Sequence, residues 1–253
     1  MEINFEGKNI LVSGAAGHLG EQLVKDYCQS GAATLLLIDS PEHEKDLKKI
    51  EKEYEGRTRV KTYIADFRNI EEIIKVVNQI ADEGIVVDVL INNAGINIMK
   101  KANEMDEEIW DCVVDVNLKG SFFLTKEIGY KSLISQKGNV VFISSQHGVV
   151  GNVMRTAYCS SKTGILGLVR ALTAEWSVYG VRVNAVSPTY ILNEDNESFL
   201  MSARERRNML NKIPLHKYAE TEDVSNAIMF LSSDKASMIT GHNLVVDGGY
   251  TSL

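Results

Sequence analysis

Near its start the chain runs from an apolar strand through a glycine-rich turn into a helix. Residues 8–13 form a short apolar run, three glycines lie within residues 14–20, and residues 21–30 carry apolar side chains at helical spacing. This succession is the context in which a dinucleotide-binding turn occurs. It predicts an α/β fold that holds a nucleotide cofactor at the carboxyl end of its first strand.

Each glycine of this turn has its own physical role. Gly14 permits the tight turn, Gly17 lets the backbone approach a pyrophosphate, and Gly20 lets the helix pack closely on the strand. The start of the helix then offers N–H groups to the phosphates. An ordinary strand-to-helix connection can also contain a glycine turn, so the rest of the chain must show whether this one binds a dinucleotide. The predicted phosphate contacts are Gly14, Gly17, His18, Leu19 and Gly20.

An acidic residue follows the second predicted strand. Residues 34–38 form a continuous apolar run, as expected for a parallel strand covered on both faces, and the run ends at Asp39. A carboxylate at this distance from the glycine turn can accept hydrogen bonds from the adenosine ribose and repels a 2′-phosphate. Because Ser40 and Pro41 follow it and no cation does, the sequence predicts NAD rather than NADP. The alternative is that Asp39 caps a helix or lies in a loop.

Further apolar runs extend the predicted sheet. They cover residues 60–65, 87–91, 140–143, 181–186 and 244–246. Ligands of open α/β sheets collect at the carboxyl ends of such strands. Asp66 and Phe67 follow the third strand, although Asp66 could equally cap the next helix. Asn93 can tie neighbouring strand ends together after the fourth strand, and small Ala94 and Gly95 leave room for a flat ligand.

The composition excludes several other classes of protein. The 253 residues are 44% hydrophobic and carry a formal net charge of −7, with no long basic run. One packed domain covering residues 1–253 is expected, with neither nucleic acid nor an anionic membrane as partner. No apolar run reaches membrane-spanning length. We expect a cytoplasmic protein without a metal site, because no signal peptide follows Met1 and three scattered cysteines show no metal spacing.

Tyr158 and Lys162 form the most chemically suggestive pair in the chain. They lie four residues apart in residues 157–176, whose apolar periodicity is typical of a helix, so both side chains can reach one cleft. A free tyrosine has a pKa of about 10, and a neighbouring cation favours the phenolate. We therefore expect the pKa of Tyr158 to be lowered, which suits proton transfer with an alcohol oxygen. Taken alone, this spacing also fits a tyrosine and a lysine on a surface.

Other polar features accompany this pair. Asn117 lies among apolar residues of a long predicted helix, residues 106–135, and needs hydrogen-bond partners that are either structural or a water. Ser145 ends the fifth strand, and a short loop can bring it to Tyr158. The polar segment at residues 189–216 follows a strand end and is long enough to be a substrate lid.

These segments together resemble the classical short-chain dehydrogenase/reductases over nearly the whole chain. The motifs that carry the resemblance are Asn92-Asn93-Ala94-Gly95, Ser145, Tyr158-x-x-x-Lys162, Arg182-Val183-Asn184 with Pro188, and Thr240-Gly241 with Asp247-Gly248-Gly249. The resemblance implies a single Rossmann domain with a doubly wound, seven-stranded parallel sheet. It also implies a homotetramer, which the apolar residues on several faces of the two long helices favour.

The resemblance further implies a catalytic tetrad of Asn117, Ser145, Tyr158 and Lys162. In this assignment Tyr158 is the acid–base and Ser145 holds the substrate oxygen. Lys162 binds the nicotinamide ribose and tunes Tyr158, while Asn117 positions a relay water.

The cofactor contacts also follow from the resemblance. Asp66 would meet the adenine, Asn93 the adenosine ribose region, and the backbone of Ile191 the carboxamide. Beyond the glycine turn the implied cofactor residues are Asp39, Asp66, Phe67, Asn93, Ala94, Gly95, Tyr158, Lys162, Pro188, Ile191 and Asn193.

The chain departs from the family pattern at three positions. His18 stands at the middle glycine of the usual turn and glycine moves to Gly17, a spacing similar to that of the extended branch of the family. Thr189 replaces the glycine after the proline, and Asn193 replaces a threonine near the nicotinamide amide. Both of these side chains can still form hydrogen bonds.

The resemblance and Asp39 together imply an NAD-dependent enzyme that interconverts a secondary alcohol and a ketone. The expected substrate contacts are Ser145, Gln146, His147, Met154 and Tyr190. Gln146 and His147 favour a small polar substrate such as a sugar, polyol or hydroxy acid, unless His147 merely caps a loop. A 3-oxoacyl carrier-protein reductase is the alternative enzyme, although that activity usually accompanies NADPH. A non-catalytic nucleotide-binding protein is a weaker alternative, because a binder needs no catalytic tetrad.

Overall fold

A single parallel sheet organises the computed structural model, which describes residues 3–191 and 203–253. In this part of the chain the strands are β1 (Asn9–Ser13), β2 (Thr34–Asp39), β3 (Arg59–Ile64), β4 (Val89–Asn92), β5 (Asn139–Ile143), β6 (Arg182–Pro188) and β7 (Asn243–Val246). Their order is β3-β2-β1-β4-β5-β6-β7. The order reverses between β1 and β4, where a crevice opens at the carboxyl ends of the strands. The predicted doubly wound Rossmann sheet is confirmed.

Helices cover both faces of this sheet. They are α1 (His18–Gln29), α2 (Glu44–Glu53), α3 (Ile70–Asp82), α4 (Glu107–Val114), α5 (Ser121–Ile128), α6 (Ile134–Gln136), α7 (Thr156–Trp176), α8 (Ala203–Leu210) and α9 (Thr221–Ser232). One apolar core packs α1 and α9 against the sheet, and the other packs α3, α5 and α7 against its opposite face. None of the helices in the described ranges is long and apolar enough to cross a membrane.

Strand β2 shows why its apolar run is continuous. Leu35 and Leu37 belong to the core on one face, whereas Leu36 and Ile38 belong to the core on the other face. Successive side chains of a strand point to opposite faces, so a strand buried on both sides needs apolar residues throughout.

The single long helix predicted for residues 106–135 is divided. A π-helical segment, Asp115–Gly120, separates α4 from α5, and a second, Gly129–Leu133, separates α5 from α6. Close packing accounts for the glycines. A Cβ on Gly120 would lie 2.5 Å from the Phe67 carbonyl oxygen, and one on Gly129 would lie 2.4 Å from the Trp176 ring. π-Helical turns are frequent at functional sites, and the first of these contains Asn117.

Several boundaries differ by one to three residues from those predicted from sequence. Helix α1 begins at His18 rather than residue 21, so that Leu19 and Gly20 lie in its first turn. Strand β4 begins at Val89 rather than residue 87. The predicted lid at residues 189–216 is only partly described, since residues 192–202 lie outside the described part. After α8 the chain returns to the last strand, where the Leu215 N–H donates to the Gly248 carbonyl over 3.1 Å.

Candidate active site

The glycine turn between β1 and α1 is shaped by close backbone contacts. Gly14 has a left-handed backbone, with φ at 62°, and a Cβ there would lie 2.8 Å from the Ala94 Cα. A Cβ on Gly20 would lie 2.3 Å from the Gly14 carbonyl oxygen. A Cβ on Gly17, in contrast, would meet only the Gly14 oxygen at 3.6 Å. The fold itself therefore requires glycine at two of these positions, while the space above Gly17 is open to a ligand.

This turn fits the pyrophosphate of a dinucleotide. Gly17 is the N-cap of α1 and has no side chain with which to cap the first turn. The N–H groups of a helix start, together with the helix dipole, favour an anion at that point. The predicted phosphate residues His18, Leu19 and Gly20 form this first turn.

Asp39 lies directly against the glycine turn. Its Oδ2 accepts the Ala16 N–H over 2.8 Å, and its Oδ1 accepts the Ser40 N–H over 2.8 Å. Each carboxylate oxygen can accept more than one hydrogen bond, so both stay able to bind ribose hydroxyls. The carboxylate therefore fixes the turn and also borders the expected cofactor position.

Asp66 is held by a neighbour that the sequence reasoning missed. The Arg68 Nε donates to Asp66 Oδ1 over 2.9 Å, and this contact lowers the pKa of Asp66. The charge of Arg68 also lowers the pKa of Glu42, after the hydrogen bond that Glu42 receives from Ser40. A cation therefore lies at the β2–β3 edge, where spacing along β2 alone suggested none. It comes from the loop after β3, so only the three-dimensional fold reveals it.

The end of β4 is tied to the glycine turn by hydrogen bonds. Asn93 Nδ2 donates to the Gly14 carbonyl over 2.8 Å, and the N–H groups of Asn93 and Ala94 both donate to Ser13 Oγ over 3.1 Å. The strand-tying role expected for Asn93 is thus present, and Ser13 is its partner. Gly95 is small for a further reason, since its Cβ would lie 3.2 Å from Lys162 Nζ.

Asn117 uses its side chain to join the π-helical segment to the β4 end. Its Oδ1 accepts the Ile96 N–H over 2.8 Å, and its Nδ2 donates to the Ile96 carbonyl over 2.9 Å and to Ser161 Oγ over 3.0 Å. The side chain is fully buried. The structural partners that the sequence analysis allowed are therefore present, and the relay water stays a prediction.

Lys162 is buried beside the ring of Tyr158. Its Nζ donates to the Ile143 carbonyl over 2.8 Å and lies 5.7 Å from the centre of the Tyr158 ring. Burial lowers the pKa of Lys162 to about 8. An ammonium has three N–H donors, and within residues 3–191 and 203–253 only Ile143 accepts from this one. Two donors therefore remain for a ribose hydroxyl or another ligand group.

Tyr158 and Ser145 come together as predicted, but the pKa of Tyr158 moves in the opposite direction. Burial raises the pKa of Tyr158, whereas a hydrogen bond with Ser145 and the charge of Arg155 act to lower it. The expectation of a lowered pKa is wrong for the chain by itself, because the desolvation of the ring outweighs its polar contacts. The phenol is protonated at neutral pH, and Ser145 Oγ also accepts the His147 N–H over 3.1 Å.

A partly buried polar cluster adjoins Ser145. His147 Nε2 lies 3.2 Å from the Tyr190 hydroxyl, 3.3 Å from Asn152 Nδ2 and 3.4 Å from Gln146 Nε2. Burial lowers the pKa of His147 to about 4, and the charge of Arg155 acts in the same direction. His147 is therefore neutral at neutral pH. Three of the predicted substrate residues, Gln146, His147 and Tyr190, are brought together here.

Residues outside the predicted set complete the cluster. The ring of Tyr250 makes edge contacts with His147 and Tyr190, with centroids 6.2 and 6.3 Å apart. Arg155 lies with its guanidinium carbon 6.0 Å from the Tyr158 ring centre. Met154, predicted as a substrate contact, is 37% exposed and has a left-handed backbone immediately before Arg155. Nothing in the apolar periodicity of the sequence distinguishes Arg155 or Tyr250, which the tertiary fold brings to the site.

The end of β6 also fits a polar cofactor group. Directly after Pro188, the Thr189 hydroxyl is buried and finds no hydrogen-bond partner in the described part of the chain. A carboxamide held there would supply a partner, in line with the position that the family resemblance gives to the nicotinamide. Ile191 forms a parallel bridge with Ala219. Asn193 lies outside the described residues, and its predicted contact is untested.

Comparisons with known proteins agree with this geometry. Residues 14–251 match the family model described as Enoyl-(Acyl carrier protein) reductase. The chain is 34% identical to the NAD-dependent glycerol dehydrogenase of Listeria innocua serovar 6a, covering 99% of this chain and 96% of that protein. It is 35% identical to a 3-oxoacyl-acyl-carrier-protein reductase of Thermotoga maritima, and the match covers 98% of this chain and 99% of that protein.

A solved structure shows the same fold at full length. A protein from Beutenbergia cavernae assigned as an NAD(P)-dependent gluconate 5-dehydrogenase, with NADP bound at low occupancy, superposes with a TM-score of 0.92. It is 29% identical in sequence, and the match covers 100% of both chains. The chain therefore belongs to the classical short-chain dehydrogenase/reductase family, whose members are oxidoreductases that use a nicotinamide dinucleotide.

Proposed function

We propose that this oxidoreductase uses NAD to interconvert a secondary alcohol and a ketone on a small polar substrate, either a sugar, a polyol or a hydroxy acid. The observation that carries the proposal is the approach of Ser145 and Tyr158 to a partly buried cluster of polar side chains. That cluster consists of Gln146, His147, Asn152 and Tyr190. Such a cavity wall can hydrogen-bond several hydroxyl groups, whereas an apolar substrate would leave these buried polar atoms unpaired.

Tyr158 performs the proton transfer in this proposal. Because its pKa is raised, it is a protonated acid at neutral pH and can give its proton to a ketone oxygen. In the reverse direction it must take a proton from the alcohol. Ser145 donates a hydrogen bond to the same substrate oxygen and so holds that oxygen near the phenol. When bound, the nicotinamide supplies or accepts the hydride.

Lys162 supports the reverse direction. Its ammonium lies beside the ring of Tyr158, and its two remaining N–H donors can bind a ribose hydroxyl of the cofactor. A positive charge in this buried position favours the phenolate, which an alcohol oxidation requires. Asn117 keeps the neighbouring Ile96 backbone in place, as its three hydrogen bonds indicate.

The preference for NAD is supported by the position of Asp39. Its carboxylate lies against the glycine turn, where it can accept from ribose hydroxyls and would repel a 2′-phosphate. Arg68 lies at the same edge, but Asp66 already binds its guanidinium. The glycerol dehydrogenase of Listeria innocua is NAD-dependent, and the Beutenbergia cavernae structure holds NADP. Asp39 is the feature of this chain that favours the first of these two cofactors.

Reduction of a 3-oxoacyl carrier protein is a second candidate function. The 35% identity to the Thermotoga maritima enzyme favours it. The buried polar cluster favours the polar substrate instead. We place either activity in the cytoplasm, because Cys28, Cys112 and Cys159 are all free thiols.

A substrate screen tests the proposal. The purified protein is assayed with NAD and with NADP against polyols, sugars and hydroxy acids, and in the reverse direction against a 3-oxoacyl thioester. Turnover of a polar alcohol with NAD is the expected result. Higher kcat/KM for the thioester with NADPH would establish the second candidate, and the absence of any nicotinamide-dependent turnover would contradict both.

A further inference from the structure

Arg155 is a charged side chain that the fold brings to Tyr158. Its guanidinium carbon lies 6.0 Å from the Tyr158 ring centre, and its buried Nε has no hydrogen-bond partner among the residues that the structure describes. Across residues 3–191 and 203–253, no carboxylate forms an ion pair with it. Buried donors of this kind nearly always have partners in folded proteins, so a ligand that supplies one is the natural explanation.

The position of Arg155 is on the substrate side of the site. Burial raises the pKa values of Tyr158 and Tyr190 and lowers that of His147, and the positive charge of Arg155 acts to lower all three, which places the guanidinium near these side chains. These are the side chains around the Ser145 hydroxyl, where the reacting oxygen must lie. The other cation near Tyr158, Lys162, donates a hydrogen bond to the Ile143 carbonyl, whereas Arg155 does not bind that carbonyl.

We propose that Arg155 binds a carboxylate group of the substrate, so that the preferred alcohol is a hydroxy acid such as an aldonate rather than a neutral polyol. The inference rests on the proposed function and narrows its substrate class. A guanidinium can donate two parallel hydrogen bonds to one carboxylate, which gives both affinity and orientation. A neutral polyol would leave the partly buried positive charge without a counter-charge.

The rest of the cluster fits the hydroxyl groups of such a molecule. His147 is neutral and contributes no second positive charge. Asn152 and Tyr190 hydrogen-bond each other over 3.1 Å and can each bind a hydroxyl group. Lys212 also acts on the pKa of His147, but its side chain is exposed. One partly buried cation beside neutral polar groups favours a monocarboxylate with several hydroxyls.

The kinetic test compares D-gluconate with D-glucitol, which differ in the carboxylate that Arg155 would bind. The wild type should have the higher kcat/KM for gluconate. In Arg155→Met the ratio of gluconate to glucitol kcat/KM should fall about 10- to 100-fold, mainly through the KM for gluconate. Arg155→Lys should restore part of the ratio because it restores the charge. Arg170→Met, which removes an exposed arginine from the same helix, should leave the wild-type ratio.

A binding measurement separates this inference from the proposed function. Gluconate is titrated calorimetrically into the enzyme with NADH, a dead-end pair that cannot react. Wild type should bind gluconate, and Arg155→Met should bind it at least about tenfold more weakly. Equal binding in the two proteins, or a gluconate-to-glucitol ratio unaffected by Arg155→Met, would overturn the inference. If gluconate binds through Arg155 but no alcohol is oxidised, the proposed function fails and the carboxylate site stands.

Discussion

At the scale of single residues, burial opposes the charges that the site needs. It raises the pKa of Tyr158 and lowers that of Lys162 to about 8, so both shifts favour the uncharged forms. The sequence indicates which residues meet, because their helical spacing is fixed. It does not indicate this balance, because desolvation depends on the surrounding Ser145, Ile143 and Gly95, which come from other elements.

Lys162 should make cofactor binding depend on pH. Its pKa is about 8, so the ammonium is present below this pH and is lost as the pH rises through it. A charge-assisted hydrogen bond to a ribose hydroxyl is about twice as strong as a neutral one. The affinity for NADH, measured by fluorescence titration, should therefore fall several-fold as the pH rises through about 8. The same fall in Lys162→Met would show that another group is responsible.

Asp39 should set the choice of cofactor. In Asp39→Ala the ribose loses an acceptor and a 2′-phosphate is no longer repelled, so the ratio of NAD to NADP kcat/KM should drop about tenfold or more. Asp39→Asn serves as the control, since it keeps an oxygen for the Ala16 N–H while removing the charge. A wild type that prefers NADP would overturn the assignment.

At the scale of elements, the strand–turn–helix unit was predictable and the divided helix was not. Apolar runs at residues 8–13 and 34–38 predicted two strands, and the alternation of β2 side chains between the two cores shows the reason. The π-helical segment Asp115–Gly120 has no such pattern in the sequence. Its Gly120 packs against the Phe67 carbonyl, which is distant in the chain, so the surroundings of this segment are not visible in the local sequence.

The glycine turn allows a matched pair of variants. Gly20→Ala places a Cβ 2.3 Å from the Gly14 carbonyl oxygen, so the backbone must move and stability should fall by about 1–3 kcal/mol. In Gly17→Ala the new Cβ lies 3.6 Å from the Gly14 carbonyl oxygen, so stability should fall by less than about 1 kcal/mol. The methyl group nevertheless enters the expected phosphate position. Denaturant unfolding and NADH titration measure the two effects. Unchanged NADH affinity in Gly17→Ala would place the phosphates elsewhere.

At the scale of the whole molecule, the doubly wound, seven-stranded parallel sheet was predictable, whereas the burial of the apolar residues on the two long helices was not. Val113, Ile165, Val169 and Leu172 are buried within the chain itself. Trp110, at 36% exposure, keeps part of its surface open. Burial of a helix face depends on every neighbouring element, which periodicity along one helix does not include.

A homotetramer stays our proposal on family resemblance. Light scattering during size-exclusion chromatography should give about four times the chain mass of 28.1 kDa. A stable monomer at micromolar concentration would contradict it.

The central claim, that Tyr158 transfers the proton in a nicotinamide-dependent oxidation or reduction, is tested most directly by Tyr158→Phe. This variant keeps the ring beside Lys162 and removes only the hydroxyl. Turnover of the best substrate from the screen should fall by on the order of a hundredfold or more, while NADH binds with nearly wild-type affinity. Near-normal turnover in Tyr158→Phe would contradict the account.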